Sequence, residues 1–137
     1  MAISKSEMDT LPKIVAIDFD GTLVSDNYPS IGSPNTFMFR LCKALQKSGV
    51  KLILWTCRDG KYLLEAVDYC AHRGLFFDAV NVNLPETIKM FNNDTRKIYA
   101  DLYIDDKAIP HIQDPLFWVE RVGLEPQDFR NLAFGGD

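Results

Sequence analysis

Two carboxylates stand one residue apart at the end of an apolar run in the segment VAIDFDGTLV. These are Asp18 and Asp20. In an extended chain, residues i and i+2 point to the same face, so both side chains are directed at one place. Two anions held that close repel each other, and each raises the cost of ionising the other. The pattern therefore predicts that a positive group lies between them.

Polar side chains also follow two later apolar runs. Thr56 ends the run KLILWT, and Asp105 and Asp106 follow the run ADLYI. Oxygen ligands suit Mg²⁺, which commonly takes one or two carboxylates together with waters and phosphate oxygens. A metal held in this way polarises a phosphoryl group and offsets its repulsion from an attacking carboxylate. The residue types indicate Mg²⁺ as cofactor and a phosphorylated substrate, either a small molecule or a macromolecule.

A set of aspartates around such a metal has a definite chemistry available to it. One aspartate can attack phosphorus and form an aspartyl-phosphate, which divides one difficult step into two easier ones. A neighbouring acid can protonate the leaving oxygen and then deprotonate the water that attacks the intermediate.

The elements that must position these residues alternate along the chain. Short, nearly continuous apolar runs predict four buried strands, at 13–18, 51–56, 76–82 and 98–105. Helical spacing predicts four helices. The first begins at Ser33-Pro34, with Ser33 as N-cap, and stops at Gly49; the second runs from about 60 to 73, with Gly74 as the stop. The third runs from 85 to about 92, and the fourth lies near 116–122. The residues expected to face the core include Leu41, Leu45, Leu63, Leu64, Val67, Cys70, Trp55, Phe76 and Phe77.

Strands that alternate with helices predict a doubly wound α/β fold with a parallel sheet. In such sheets, ligands bind outside the carboxyl ends of the strands. Asp18, Thr56 and the pair Asp105-Asp106 end three of the predicted strands, and Asp20 follows just beyond the first. We therefore expect these side chains to converge on one edge of the sheet.

Length and charge limit the other possibilities. A chain of 137 residues fits one domain, 1–137, whose first twelve residues we expect to be flexible. The net charge of -4, without a basic run, does not favour binding to nucleic acid or to a membrane. The N-terminus lacks the apolar segment of a signal peptide, and the three cysteines have no CxxC spacing. These features predict a cytoplasmic protein.

Several hydrolytic motifs are absent from the sequence. It has no cysteine followed six residues later by arginine, no GxxxxGK[ST] loop and no HExxH helix. His72 and His111 are the only histidines, and neither has a recognisable nucleophile elbow as partner. The carboxylate chemistry described above is the interpretation that remains.

Four segments, in order, resemble the motifs of haloacid dehalogenase-like (HAD) phosphohydrolases. They are DFDGT at 18–22, the strand-end Thr56 of LILWT, a downstream lysine and YIDD at 103–106. The resemblance covers about residues 14–109 and implies a Rossmann-like HAD core. Within that superfamily, YPSIG at 28–32 and LWTCR at 54–58 are similar to segments of small bacterial phosphatase-like proteins.

The resemblance implies a role for each motif residue. Asp18 would be the nucleophile and a metal ligand. Asp20 would be the general acid/base and would also contact the metal through its backbone carbonyl. Thr56 would hold the phosphoryl oxygens. Asp106 would be the metal ligand after the last core strand, with Asp105 supporting it; the alternative for this pair is to cap a following helix.

The motif lysine has two candidates, Lys97 and Lys89, of which Lys97 is preferred. Its implied role is to neutralise charge on the nucleophile and the phosphoryl group. Thr22, Cys57 and Arg58 are the predicted substrate contacts. Arg58 can bind a phosphate bidentately or pair with an acid, and Cys57 is alternatively a core residue.

HAD members often insert a cap domain after the first motif or between the second and third. Both gaps in this chain hold only elements that the core needs, so we expect no separate cap. The ADLYIDD segment is also similar to deoxyribonucleotidases, but these are capped and their substrate does not carry over. Water would then be excluded by the loop at 25–32, by a partner subunit in a homo-oligomer, or by a large substrate.

Two other functions use a similar set of residues. A receiver domain has an aspartate cluster, a hydroxyl residue and a lysine around Mg²⁺, but its acids follow the strands in a different order. A binding protein with this fold would keep the acidic site without turnover. Both remain alternatives to a phosphomonoesterase.

Overall fold

The computed structural model describes residues 11–108 and 119–125, together with Gln127 and Asn131. The elements are β1 (Ile14–Ile17), α1 (Thr36–Lys47), β2 (Lys51–Leu54), α2 (Gly60–His72), β3 (Ala79–Val80), α3 (Pro85–Phe91) and β4 (Leu102–Ile104). The segment predicted to be flexible, 1–12, lies outside the described residues except for Leu11 and Pro12. No helix in the described part has both the length and the apolar character that a membrane span needs.

The four strands form one parallel sheet in the order β3-β2-β1-β4. Ile17 at the end of β1 pairs with Leu54 on one side and with Ile104 on the other. The strand order runs from β1 through β2 to β3 on one side, whereas β4 lies on the other side of β1. At a switch point of this kind in a parallel sheet, a crevice opens at the carboxyl ends of the strands. The predicted α/β, Rossmann-like fold is confirmed, and no separate cap domain occurs within residues 11–108.

Side-chain alternation along the strands divides the apolar core between two faces of the sheet. Val15 and Ile17 belong to the larger cluster, which α1 and α2 cover. Ala16 belongs to a smaller cluster on the other face. The connection from β3 through α3 to β4 contributes Leu84 and Ile98 to that second cluster. The sheet is therefore buried from both sides, as its continuous apolar strands require.

Two expectations about the helices are wrong. Asn35, not Ser33, is the N-cap of α1, because its side-chain oxygen accepts a hydrogen bond from the Met38 N–H at 3.1 Å. Leu64 is exposed rather than inward. The buried face of α2 is centred on Ala66, and a residue two positions away on a helix lies nearly on the opposite side.

The third and fourth strands are shorter than predicted because carboxylates replace part of the strand pairing. Asp78 accepts a hydrogen bond from the Leu52 N–H at 2.8 Å, just before β3 begins. Asp101 accepts the N–H groups at the start of β1 in the same way. Phe76 therefore falls outside the strand and is exposed, contrary to the prediction. Cys57 is also exposed, so its interpretation as a core residue is wrong.

The end of the described chain packs on the larger cluster. Residues 119–121 are helical, and Val119, Val122 and Leu124 are buried with α1 and α2. The helix predicted near 116–122 is thus observed in its second half, and its first half lies outside the described residues.

Candidate active site

Three carboxylates meet where the ends of β1 and β4 lie side by side. Because Ile17 pairs with Ile104, the residues that follow them, Asp18 and Asp105, are neighbours. The Asp18 N–H donates to the Ile104 carbonyl at 3.0 Å and extends the ladder by one bond. Carboxylate oxygens of Asp18, Asp105 and Asp106 all lie within 4.8 Å of one another. The predicted convergence at the sheet edge is present for these three residues, which we call the aspartate cluster.

The surroundings of Asp18 in the aspartate cluster favour its protonated form. Burial, a hydrogen bond with Asp106 and the negative charge of Asp105 raise the pKa of Asp18 from 3.8 to about 8. The Phe19 N–H acts in the opposite direction, since it stabilises the ionised form. The charged neighbours that raise this pKa are both acids. A cation close to the cluster would lower this pKa and favour the ionised form of Asp18 at neutral pH.

The residues of the cluster fit Mg²⁺. They offer oxygen donors alone, which hard cations prefer. The space beside them is kept open by Gly21, because a Cβ at this position would lie 2.2 Å from Asp106 Oδ2. Gly21 also has a φ of +85°, a conformation that residues with a Cβ rarely adopt. Asp18, Asp105 and Asp106 are thus the side chains that would hold the metal.

Thr22 joins the two sides of the aspartate cluster. Its hydroxyl donates to Asp18 Oδ2 at 3.3 Å and accepts from the Asp106 N–H at 3.2 Å. The side chain is buried, and a tight turn holds it there, in which the Phe19 carbonyl accepts the N–H groups of Thr22 and Leu23. The structure therefore directs this hydroxyl, predicted to contact substrate, at the two aspartates.

Asp20 lies in different surroundings from Asp18. Arg58 donates from Nε and from Nη2 to the two carboxylate oxygens of Asp20, each at 2.8 Å. These bonds raise the pKa of Arg58, so the guanidinium stays charged. Arg58 is thus the positive partner of Asp20, and a positive group between the two aspartates stays a prediction. The metal contact predicted for Asp20 runs through its backbone carbonyl and stays a prediction.

Arg58 makes three further hydrogen bonds inside the protein. Nη1 donates to the carbonyls of Pro29 at 3.1 Å and Tyr62 at 3.4 Å, and Nη2 donates to the Ser30 carbonyl at 2.9 Å. Together with the two bonds to Asp20, these three bonds use all five N–H groups of the guanidinium. Of the two interpretations of Arg58, the structure shows the acid pair and leaves no donor directed at a substrate.

Thr56 lies two residues beyond the end of β2 and is held by an asparagine that the sequence pattern did not predict as a contact. The Thr56 N–H donates to Asn81 Oδ1 at 2.8 Å, and its hydroxyl accepts the Arg58 N–H at 3.2 Å. Asn81 has a φ of +58° directly after β3, a conformation that asparagine adopts more readily than most residues. The sequence signal for this contact was an asparagine near the end of a predicted strand. Cys57 lies exposed between Thr56 and Arg58.

The structure does not bring the predicted lysines into contact with the aspartate cluster. The Lys97 ammonium lies 5.4 Å from the centre of the Tyr103 ring, in a pocket beside α3. Lys89 is exposed on α3. Lys107, which the sequence reasoning missed, has its Nζ 3.9 Å from Asp106 Oδ2, but its side chain is 81% exposed. Its position next to Asp106 in the sequence was the signal for this contact.

Comparison with known proteins gives one informative match. No protein-family model matches the chain, and no curated protein matches it. Among solved structures, the chain is similar to a conserved protein from Bacteroides thetaiotaomicron, with 40% sequence identity and a TM-score of 0.72. The match covers 80% of this chain and 88% of that chain.

Proposed function

We propose that this chain, which belongs to the same family as the conserved Bacteroides thetaiotaomicron protein, is a phosphomonoesterase that depends on Mg²⁺. The observation that carries the proposal is the aspartate cluster at the switch point of the sheet. It combines oxygen ligands within 4.8 Å with an aspartate whose pKa is raised to about 8. Perturbed carboxylates in a crevice of this kind favour catalysis over a purely structural role. The order of the motifs, which resembles that of HAD-like phosphohydrolases, supports the same conclusion.

The proposed reaction has two steps on the residues of this chain. An oxygen of ionised Asp18 attacks phosphorus, the bond from phosphorus to the leaving oxygen breaks, and a protonated Asp20, with one oxygen released from Arg58, gives its proton to that oxygen. Water then attacks the aspartyl-phosphate, Asp20 takes the proton, and the bond between Asp18 and phosphorus breaks. Inorganic phosphate is released, and the Asp18 carboxylate and the protonated Asp20 are regenerated. Thr56 orients the phosphoryl oxygens from the segment just after β2.

Mg²⁺ held by Asp18, Asp105 and Asp106 would offset their mutual repulsion and polarise the phosphoryl group. The chain's own contribution is to hold these carboxylates together, with no covering domain among residues 11–108. The Thr22 hydroxyl fixes Asp18 relative to Asp106, and Gly21 leaves room for the Asp106 carboxylate. We propose a cytoplasmic setting, since all three cysteines are free thiols.

The first experiment measures phosphate release from a panel of phosphoesters that includes sugar phosphates, nucleotides and phosphopeptides. Wild type is compared with Asp18→Asn, each with Mg²⁺ and with EDTA. We expect release that requires Mg²⁺ and falls by at least about a thousandfold in Asp18→Asn. Asp68→Asn, which changes an exposed aspartate on α2, is the matched control and retains activity.

Each other outcome has a definite meaning. Equal activity in Asp18→Asn contradicts Asp18 as the nucleophile. Binding of Mg²⁺ without release from any ester supports a non-catalytic phosphate-binding module. An aspartyl-phosphate that persists for minutes or longer supports a receiver-like signalling function.

A further inference from the structure

Arg58 is the largest of the fully buried side chains in the described part of the protein. Charged residues are almost never fully buried unless they are paired, and the partner here is Asp20. The side chain of Arg58 is 1% exposed and that of Asp20 is 17% exposed. Well-packed apolar residues often replace a buried ion pair without loss of stability, so stability alone is a weak reason for this arrangement.

The hydrogen bonds of Arg58 connect three separate parts of the site. Two go to Asp20 in the turn after β1, and two go to the carbonyls of Pro29 and Ser30. A fifth goes to the Tyr62 carbonyl in α2. A planar guanidinium presents its donors in a fixed fork, so its partners cannot move independently without losing bonds.

Two aromatic rings further restrict the guanidinium. Its central carbon lies 5.0 Å from the centre of the Phe19 ring and 5.1 Å from that of Tyr28. Phe19 is buried, whereas Tyr28 is about half exposed and meets the Tyr62 ring edge-on. Tyr28 therefore joins the same loop to Arg58 through a side chain that faces solvent.

We propose that Arg58 is a positioning residue that couples the orientation of the Asp20 carboxylate to the conformation of residues 28–30. A ligand that contacts the exposed ring of Tyr28 displaces the loop, the guanidinium follows the loop, and Asp20 is reoriented. Because residues 11–108 contain no cap domain, this coupling makes loop contact by the substrate a condition for correct placement of the acid/base. The catalytic part of this inference rests on the proposed function, and the structural part does not.

The structural part is tested by amide hydrogen exchange in the segment 23–35. The N–H groups of Ser25, Ser33 and Asn35 are hydrogen bonded there and report on the loop. We expect exchange of these amides to be at least about tenfold faster in Arg58→Lys, which keeps the charge and loses the fork. Asp20→Asn gives the same increase and serves as the second variant if Arg58→Lys does not fold.

Arg73→Lys is the matched control. Arg73 also lies over two aromatic rings, at 5.0 Å from Phe39 and 5.8 Å from Tyr69, but its contacts are away from the loop. Exchange in 23–35 stays at the wild-type rate in this variant. Wild-type exchange in both Arg58→Lys and Asp20→Asn overturns the proposal, as does an equal increase in Arg73→Lys.

The catalytic part is tested with a small phosphoester that wild type hydrolyses. Arg58→Lys lowers kcat by about a hundredfold and changes KM by less than about threefold, since the nucleophile and metal ligands are unchanged. Added guanidinium ion restores part of the activity of Arg58→Ala. An unchanged kcat in Arg58→Lys overturns this part. Absence of turnover in wild type contradicts the proposed function instead, and the exchange measurement then decides the coupling by itself.

Discussion

The two aspartates of the DFDGT segment lie in opposite electrostatic surroundings although one residue separates them. Asp18 is surrounded by acids and has a pKa of about 8, whereas Asp20 is paired with a buried guanidinium. Divergent surroundings of this kind allow two carboxyl groups to perform different steps of one reaction. The raised pKa of Asp18 favours its protonated form in the metal-free protein, so the proposed role of Asp18 as nucleophile depends on a cation that lowers this pKa.

The raised pKa of Asp18 predicts how the stability of the metal-free protein depends on pH. Between pH 3.8 and about 8, the folded protein holds a proton on Asp18 that the unfolded chain has lost. The free energy of unfolding therefore decreases as pH rises through this range and levels off above it. Asp18→Asn removes this dependence and should be more stable than wild type at pH 8 by about 2 kcal/mol, after screening by solvent at a partly buried site.

Urea unfolding in EDTA at several pH values between 4 and 9 measures the effect. Asp59→Asn, at the exposed N-cap of α2, is the control and keeps the wild-type slope, because Asp59 makes no capping hydrogen bond through its side chain. If the free energy of unfolding changed with pH in the same way in wild type and in Asp18→Asn, the raised pKa of Asp18 would be contradicted.

At the scale of elements, the turn after β1 builds the site from backbone geometry. The Phe19 carbonyl accepts the N–H groups of residues 22–24, and the Gly21 N–H donates to the Val24 carbonyl at 2.8 Å. These bonds hold Thr22 under the aspartate cluster and bring Gly21 against Asp106. The turn and the end of β4 consequently form one unit.

Gly21→Ala tests this close approach. Its Cβ would lie 2.2 Å from Asp106 Oδ2, so the carboxylate must move. Gly49→Ala is a matched control, since Gly49 has a φ of +94° and nothing within 4 Å of the position of a Cβ. Both variants lose about 1 kcal/mol for the positive φ, but only Gly21→Ala should lose at least about tenfold in Mg²⁺ affinity by calorimetry. Equal affinities in the two variants would contradict the role of Gly21.

The sequence predicts those features of the fold that depend on the local pattern of apolar residues. Continuous apolar strands predict a parallel sheet, and the strand-end rule then places Asp18, Asp105 and Asp106 together. Helix stops at Gly49 and Gly74 are observed because a positive φ favours glycine there. These features depend on short stretches of chain.

The remaining features depend on contacts between distant segments, which a single sequence does not show. The pairing of Arg58 with Asp20 spans 38 residues, and that of Thr56 with Asn81 spans 25 residues. The position of Lys97 beside Tyr103 depends on how the chain before β4 folds over the second face of the sheet. Which side chains pair in this way depends on tertiary packing and not on local secondary-structure propensity.

For the whole molecule, the proposed binding of Mg²⁺ at the aspartate cluster predicts a gain in global stability. The carboxylates proposed as its ligands directly follow β1 and β4, which are paired strands of the sheet. Mg²⁺ that binds this folded arrangement and not the unfolded chain stabilises the protein by mass action. At a concentration one hundred times the dissociation constant, the gain is about 2.7 kcal/mol, which corresponds to a rise in Tm of about 10 °C.

Thermal unfolding with increasing Mg²⁺ measures this gain, and Asp106→Asn provides the comparison. The variant keeps the backbone bond from Asp106 to Thr22 but lacks one of the three charges, so its Tm should rise by less than about half of the wild-type increase. Lys107→Gln is the control for charge at the rim, because an exposed ion pair contributes little. An equal rise in wild type and Asp106→Asn would mean that Mg²⁺ binds elsewhere on the folded protein.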